Sequence, residues 1–180
     1  MSNERLEAIL EELCDIPWDV VVLVETWREA VKEVFVFPSG HTFYGSGGCK
    51  RRCGVGFLVH KRHTRHSCVS INMRLAVLRL KSGSLRLQVF GVYMPDSSYP
   101  DQDVEAVYEQ LGERLRSCSF KSWRCLVAGD FNAEVGQQED SDDLGILGPG
   151  GLPVRNARGD MFLEWCTTHR LALGNTHFEP

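Results

Sequence analysis

Short apolar runs alternate with amphipathic stretches along the chain. One face of the first stretch carries Leu6, Ile9, Leu10 and Leu13, and Ser2 or Asn3 can cap the helix that this spacing predicts. Apolar residues also recur with helical spacing over residues 102–118 and around 159–169. The pattern therefore predicts three amphipathic helices.

Between the helical stretches lie apolar runs that are short and rich in β-branched residues, as strands are. They are DVVVLVE (19–25), VFVF (34–37), GVGFLV (54–59), LAVLRL (75–80), LRLQVFGVY (85–93) and CLVAG (125–129). The tetrapeptide KSGS between the fourth and fifth runs predicts a hairpin and hence an antiparallel pair. Antiparallel strands mixed with helix-to-strand returns predict an α/β or α+β class, with helices covering sheet faces.

Composition narrows the class of protein. The chain has 180 residues, 43% hydrophobic and 24% charged, which suits one globular domain. It contains no run of eighteen apolar residues, and its start, MSNERLEAILEEL, is polar and helix-like. We therefore expect an intracellular protein with neither a membrane span nor a signal peptide.

Charge is distributed unevenly along the chain. The net charge is −4, yet the segment from Lys50 to His66 holds six Lys or Arg and no acid. Such a stripe can bind the phosphates of a nucleic acid, because binding releases counterions. The candidate nucleic-acid-binding residues are Lys50, Arg51, Arg52, Lys61 and Arg62. The alternative is a charged strand edge that resists aggregation.

The cysteines predict reduced thiols rather than a disulfide framework, because the seven are scattered and odd in number. One segment of the sequence is rich in cysteine and histidine, which are residues that bind zinc: Cys49, Cys53, His60, His63 and His66. The strand-like GVGFLV lies between the cysteines and the first histidine and would separate them by roughly 20 Å. The sequence therefore disfavours zinc.

Two carboxylates end comparable strands. Glu25 follows Trp18 by seven residues and Asp130 follows Trp123 by seven, so both acids emerge at one rim if the strands run the same way. Carboxylate oxygens there suit Mg²⁺, and Asp130 can align a water while Asn132 donates to a phosphate oxygen. Extended backbone would point residues 130 and 132 the same way. The alternative is an Asx turn that merely closes the strand.

Four motifs in order, VVVLVETW, GVGFLV, FGVYMPD and VAGDFNA, resemble the endonuclease/exonuclease/phosphatase family. The tail RNARGDMFLEWCTTHRLALGNTHF is similar to the endonuclease domains of non-LTR (LINE-type) retrotransposons and their domesticated relatives of the craniofacial development protein 2 type. The resemblance implies a four-layer α/β sandwich of two packed mixed sheets flanked by helices. It also implies metal-dependent phosphodiester cleavage with Mg²⁺ or Mn²⁺.

The resemblance assigns roles to particular residues. Glu25 matches the metal-binding glutamate, Tyr93 the tyrosine that contacts the scissile phosphate, and Asp130 the aspartate that activates water. Asn132 matches the asparagine that positions this aspartate and the phosphate. Asn175 and Thr176 fall in a segment that we interpret as mainly structural, and neither His169 nor His177 matches the family's catalytic histidine.

The chain departs from the family at both ends. The resemblance implies a first strand with a metal-binding Asn and final strands with an Asp-His pair, and neither has a match here. We therefore expect residues 1–180 to be a partial, incomplete domain of this family, derived from a DNA endonuclease that the truncation impairs. The alternative is a non-catalytic remnant or binding module.

Other activities in the superfamily, on inositol phosphates, sphingolipid headgroups or poly(A), are disfavoured by the RNARG…NTHF tail and the short loops before Asp130. DNA is the expected partner, with a reverse transcriptase domain in the full-length parent and a nuclear location.

Overall fold

The computed structural model describes residues 1–48, 53–118 and 122–178. Its helices are α1 (Asn3–Glu12), α2 (Asp101–Ser117) and α3 (Ala157–His169), with short 3₁₀ helices at Leu13–Asp15 and Gly174–Thr176. Its strands are β1 (Val20–Val24), β2 (Glu33–Val36), β3 (Thr42–Ser46), β4 (Val55–Val59), β5 (Arg65–Asn72), β6 (Leu75–Ser82), β7 (Leu85–Tyr93) and β8 (Arg124–Asp130).

The chain divides into two compact units. The first comprises Met1–Met94 and Glu113–Asp130, and the second comprises Pro95–Gly112 and Phe131–Pro180. Helix α2 begins in the second unit and ends in the first. The described ranges contain no helix that is long and apolar enough to cross a membrane.

The first unit contains two four-stranded sheets. Sheet A has the order β1-β4-β3-β2 and is antiparallel throughout. Sheet B has the order β5-β6-β7-β8, in which only β8 runs parallel to its neighbour β7. Two sheets packed with helices confirm the predicted α/β class. Only sheet B is mixed, although we expected both sheets to be.

The GVGFLV run is apolar throughout because β4 is buried on both faces. Phe57 points between the sheets, where it belongs to a cluster that includes Leu78 and Val89 of sheet B. Leu58 points the other way and packs with Leu6 of α1. Helix α1 begins as predicted, since the Ser2 side chain accepts a hydrogen bond from the Arg5 amide.

The predicted hairpin is confirmed between β6 and β7. Gly83 has a φ of 56°, the positive value that a two-residue hairpin turn requires at its first position. Strands β3 and β5 were missed. In β5, RHSCVSIN, polar and basic residues interrupt the apolar ones, so the sequence lacks the apolar run that marked the other strands. In β3, TFYGS, only two residues are large and apolar.

The second unit is built around aromatic contacts of α3. Phe162 stacks on Phe131 with ring centroids 4.0 Å apart, and Trp165 Nε1 donates to the Tyr108 carbonyl at 3.3 Å. Thr176 is buried, and its hydroxyl accepts from the Gly148 amide at 2.8 Å and donates to the Leu173 carbonyl at 2.7 Å. These bonds agree with the structural role that we expect for Thr176.

Candidate active site

Glu25 lies directly after β1, where the chain leaves sheet A in a constrained conformation. Its φ is 54° and that of Trp27 is 51°, left-handed values that non-glycine residues rarely adopt. Between them Thr26 is fully buried, and its amide donates to the Gly54 carbonyl at 3.3 Å. This turn holds Thr26 inside and leaves the Glu25 carboxylate exposed at the rim.

Gly54 allows the turn to form. A Cβ at residue 54 would lie 2.2 Å from Thr26 Oγ1, and the φ of Gly54 is 126°, which disfavours any side chain. The Trp27 amide donates to the Cys53 carbonyl at 3.0 Å and continues the contact. The segments containing Glu25 and Gly54 therefore fix each other's backbone.

Tyr93 ends β7 in the opposite sheet, and its side chain points between the sheets. Tyr93 is 7% exposed, and its hydroxyl donates a hydrogen bond of 2.7 Å to Glu25 Oε1. Burial raises the pKa of the Tyr93 hydroxyl far above its usual value, and the hydrogen bond and charge of Glu25 raise it further. Tyr93 is therefore a neutral hydrogen-bond donor at physiological pH.

Asp130 ends β8 beside Tyr93. The two residues are register partners, so their side chains share one face of sheet B, and the Met94 amide donates to the Asp130 carbonyl at 2.8 Å. Since Tyr93 also contacts Glu25, the carboxyl ends of β1, β7 and β8 meet at one rim. This is the arrangement that the equal Trp-to-carboxylate spacings predict.

Gly129 allows β8 to lie this close to β7. Its φ is 147°, and a Cβ there would lie 1.9 Å from the Val92 carbonyl oxygen. The glycine of the GDFN motif therefore sets the position of Asp130 through strand pairing.

Arg74 is a further residue at the rim, and no motif in the sequence indicated it. Its guanidinium carbon lies 5.3 Å from the centroid of the Tyr93 ring, and its Nη1 donates to the Tyr93 carbonyl at 3.3 Å. The Tyr93 amide in turn donates to the Arg74 carbonyl at 2.9 Å. Arg74 lies in the turn between β5 and β6, so only the β6–β7 pairing brings it to Tyr93.

Asn132 belongs to the second unit, and its backbone differs from our expectation. Its φ is 48°, so the extended alternation that would align it with Asp130 ends at the strand terminus. Phe131 does point into a core, where it stacks on Phe162. The extended backbone that the predicted alternation of residues 130 and 132 assumed is therefore absent at Asn132, and the role of Asn132 stays a prediction.

Two of the candidate nucleic-acid-binding residues lie away from the rim. Lys61 and Arg62 follow β4, whose last residue pairs with Val20, at the end of β1 opposite Glu25. Arg62 Nε donates to Asp19 Oδ1 at 2.8 Å, so its charge is already paired. Lys50, Arg51 and Arg52 lie outside the described residues, as does Cys49.

An apolar groove of about 740 Å³ runs from Pro17 and Trp18 along β1 and β8 to Asp130. β1 and β8 are the edge strands of their sheets, so the groove lies between two strand edges. The side chains that line it are largely aliphatic: Val20, Val22, Val24, Leu87, Val89, Leu126 and Ala128. Such a lining does not suit a phosphate group, so the polar chemistry is confined to the rim.

The rim offers few metal ligands. In the part of the chain that the structure describes, no group of three or more His, Cys, Asp or Glu side chains is arranged to hold a metal. Cys53 and His60 flank β4, which separates them as the sequence indicated. Mg²⁺ needs only one or two carboxylates when water and substrate phosphate supply the other oxygens, so Glu25 and Asp130 fit that ion.

Comparison with known proteins agrees with the geometry. Residues 2–176 match the Endonuclease/Exonuclease/phosphatase family. The chain is 29% identical over 182 residues to craniofacial development protein 2 of Bos taurus and 28% identical to that of Tragulus javanicus. These alignments cover 99% of the chain but only 30% and 31% of those proteins, so the chain spans less than a third of their length.

Solved structures share the fold at low identity. A 3′-5′ exonuclease of Neisseria meningitidis has a TM-score of 0.61 at 20% identity, with 93% of this chain and 67% of that chain covered. The endonuclease domain of TRAS1, a telomere-specific non-LTR retrotransposon, has a TM-score of 0.53 at 14% identity, with coverage of 92% and 62%. With a family match over nearly its whole length, the chain belongs to the endonuclease/exonuclease/phosphatase family.

Proposed function

We propose that this domain hydrolyses phosphodiester bonds in DNA with the help of Mg²⁺ or Mn²⁺, as an endonuclease of the retrotransposon type. The main observation behind the proposal is the hydrogen bond of 2.7 Å between Tyr93 and Glu25. Asp130, the register partner of Tyr93, lies at the same rim. Two carboxylates and a neutral phenol lie at adjoining strand ends. Phosphodiester hydrolysis can use such groups to bind a metal, to activate water and to donate a hydrogen bond to the phosphate. Membership of the endonuclease/exonuclease/phosphatase family and similarity to the TRAS1 endonuclease domain support this proposal.

Each residue has a distinct role in the proposal. Glu25, with Asp130 close by, would hold the divalent ion, which supplies charge stabilisation to the phosphate when bound. Glu25 also orients the Tyr93 hydroxyl by accepting its hydrogen bond. Because its pKa is raised, Tyr93 keeps its proton and can donate to a non-bridging phosphate oxygen.

Asp130 is the proposed general base. Its carboxylate would accept a proton from the attacking water as the water oxygen bonds to phosphorus. The P–O3′ bond would break, and the leaving 3′ oxygen would take a proton from solvent. Asn132, two residues later in the sequence, is the proposed amide donor to the phosphate, a role that rests on the family resemblance alone. Arg74 holds the Tyr93 backbone through its hydrogen bond and so supports the position of the phenol.

Supercoiled-plasmid nicking tests the proposal. The purified chain is assayed with Mg²⁺, with Mn²⁺ and with EDTA, beside Asp130→Asn, which keeps the shape of the side chain but cannot act as a base. We expect nicking that requires the metal and falls about 100-fold or more in Asp130→Asn. Asp140→Asn, an exposed residue of the 136–153 loop, is the matched control and should nick like wild type.

A second candidate is a non-catalytic binding module that keeps the fold. The observation in its favour is the groove beside the rim, whose aliphatic lining does not suit a phosphate group. In the same assay, a folded wild-type chain whose trace of nicking equals that of Asp130→Asn would support this candidate and overturn the first.

The proposal extends to a cellular setting. A nick that leaves a 3′-hydroxyl would suit priming by a reverse transcriptase, the partner that the resemblance implies, and a nuclear location would give access to DNA. Extension of the nicked plasmid by an added polymerase tests the first point, because only a 3′-hydroxyl can be extended.

A further inference from the structure

A row of cations crosses sheet B far from the rim. Arg65 of β5 is the register partner of Lys81 of β6, and Lys81 is the register partner of Arg86 of β7. Register partners share a sheet face, so three cationic side chains stand side by side with about 5 Å between neighbouring strands. All three are exposed, and we call them the basic row.

The surface around the basic row is also basic. Arg79, two residues before Lys81 on the same face, is exposed and stands opposite Ser67. No described carboxylate forms an ion pair with any of these four cations. Like charges directly opposite one another destabilise a sheet, so this arrangement costs stability in the absence of an anion.

Protection of a sheet edge does not account for the basic row. β5 is an edge strand, and a charge on Arg65 alone would serve to prevent aggregation. Lys81 and Arg86, however, lie on β6 and β7, which have neighbours on both sides. Their charges need another explanation.

An aromatic residue completes the surface. A concavity of about 460 Å³ is lined by Thr64, Arg65, His66, Ser67, Arg79, Lys81 and Trp123, none of which is acidic. Lys81 Nζ lies 5.7 Å from the centroid of the half-buried Trp123 ring. His66 is not a further cation at neutral pH, because burial lowers its pKa. Its Nδ1 is also 2.9 Å from the Tyr44 hydroxyl.

We propose that this face of sheet B binds single-stranded nucleic acid, with the basic row and Arg79 contacting phosphates and Trp123 stacking on a base. Cations beside an aromatic platform are the combination that binds unpaired strands, since every base has a face that can stack. A duplex would engage the charges but could not offer a base to Trp123.

This surface is separate from the rim. Arg86 precedes Tyr93 by seven residues on β7, a distance of about 23 Å along a strand. Tyr93 points between the sheets, whereas Arg86 is exposed. A strand held here could therefore stay bound while the rim acts on another segment, and the inference does not require the rim to be active.

Fluorescence anisotropy with a labelled dT20 oligonucleotide in EDTA measures this binding without cleavage. Four phosphate contacts predict a salt slope of about −2.8, which corresponds to roughly 50-fold weaker binding at 200 mM than at 50 mM salt. Lys81→Gln/Arg86→Gln should reduce the slope to about −1.4 and the loss to roughly 7-fold.

Two controls make the result specific. Arg5→Gln/Lys32→Gln removes the same charge from exposed positions on α1 and before β2, and should bind like wild type. Trp123→Ala should weaken binding about 10-fold, whereas Trp123→Phe should retain most of it. Circular dichroism of each variant verifies folding.

Three outcomes would overturn the inference. One is equal binding by wild type and Lys81→Gln/Arg86→Gln. The second is equal affinity for dT20 and a 20-base-pair duplex together with no effect of Trp123→Ala. The third is binding to phosphatidylserine vesicles without binding to dT20. Plasmid nicking is measured separately, so loss of oligonucleotide binding with normal nicking, or the reverse, distinguishes this inference from the proposed function.

Discussion

The Tyr93 hydroxyl and the Glu25 carboxylate, on different sheets, are joined by a hydrogen bond of 2.7 Å. The bond links the ends of β7 and β1 and orients both side chains at the rim. Its removal should therefore affect stability and, under the proposed function, catalysis.

Tyr93→Phe removes only the hydroxyl. We expect the free energy of unfolding in urea to fall by about 1 kcal/mol, because one hydrogen bond to a charged but exposed partner is lost. Nicking should fall about 100-fold, since a donor to the phosphate is lost. Tyr44→Phe is the matched control: it removes a hydroxyl bonded to His66 at 2.9 Å, so stability should fall similarly while nicking is unchanged. Equal nicking by both variants would remove Tyr93 from the proposal.

Gly129→Ala should disrupt the pairing of β8 with β7. The new Cβ would lie 1.9 Å from the Val92 carbonyl oxygen, at a φ of 147° that alanine rarely adopts. We expect a loss of about 3 kcal/mol or more in unfolding free energy, or a chain that does not fold. Gly174→Ala, whose Cβ meets nothing within 4 Å, should change stability by less than about 0.5 kcal/mol. Equal stability of the two variants would contradict the close approach of the strands.

His41 and His60 should make the fold sensitive to mild acid. They pack edge to face with ring centroids 4.6 Å apart, and each accepts a backbone amide hydrogen bond at Nδ1, from Lys61 and Arg62 respectively. Burial lowers the pKa of both, and neighbouring positive charges lower it further, with Asp19 partly offsetting the effect at His60.

The sign of the effect follows from the direction of those shifts. A base whose pKa is lower in the folded state binds more protons when unfolded, so stability is full above the ordinary histidine pKa of 6.5 and declines as pH falls below it. Urea unfolding at pH 7.5, 6 and 5 should show this decline, with a shallower slope for His41→Gln/His60→Gln. An unchanged slope would contradict the assignment.

The apolar groove should promote self-association. Leu126 of β8 is 52% exposed beside Val20 and Val22 of the other edge strand. Leu126→Lys places a charge there, and we expect less concentration-dependent association in sedimentation. Leu144→Lys, which alters a 74% exposed leucine outside the groove, should behave like wild type. Identical association of the two variants would show that the groove is not the contact surface.

Local pattern was sufficient to predict some elements and not others. The apolar runs at β1, β4 and β7 were predicted because both faces of those strands contact apolar groups, whereas β5 was missed because polar and basic residues interrupt its apolar positions. Glu25, Tyr93 and Asp130 were each selected by a short motif. Their meeting at one rim depends on the order of strands in two sheets. Only the equal spacing from each tryptophan to its carboxylate indicated that order.

Other features of the rim had no local signal. Arg74 reaches Tyr93 through the register of β6 and β7, nineteen residues apart in sequence. The φ of Asn132 is 48°, whereas the alternating pattern assumed extended backbone at this residue. The Arg74 contact depends on strand pairing, which a single sequence does not encode in its local periodicity. Asparagine, by contrast, is one of the few non-glycine residues that adopt a left-handed backbone readily.

The left-handed backbone at Glu25 has an evolutionary consequence. Glycine would fit a φ of 54° without the strain of roughly 1 kcal/mol that a glutamate bears there. If selection acted on the stability of the fold alone, we would expect this position to change to glycine. Under the proposed function, glutamate at this position costs stability but supplies the metal-binding carboxylate, and its retention or loss among descendants of this chain would record whether that activity is still under selection.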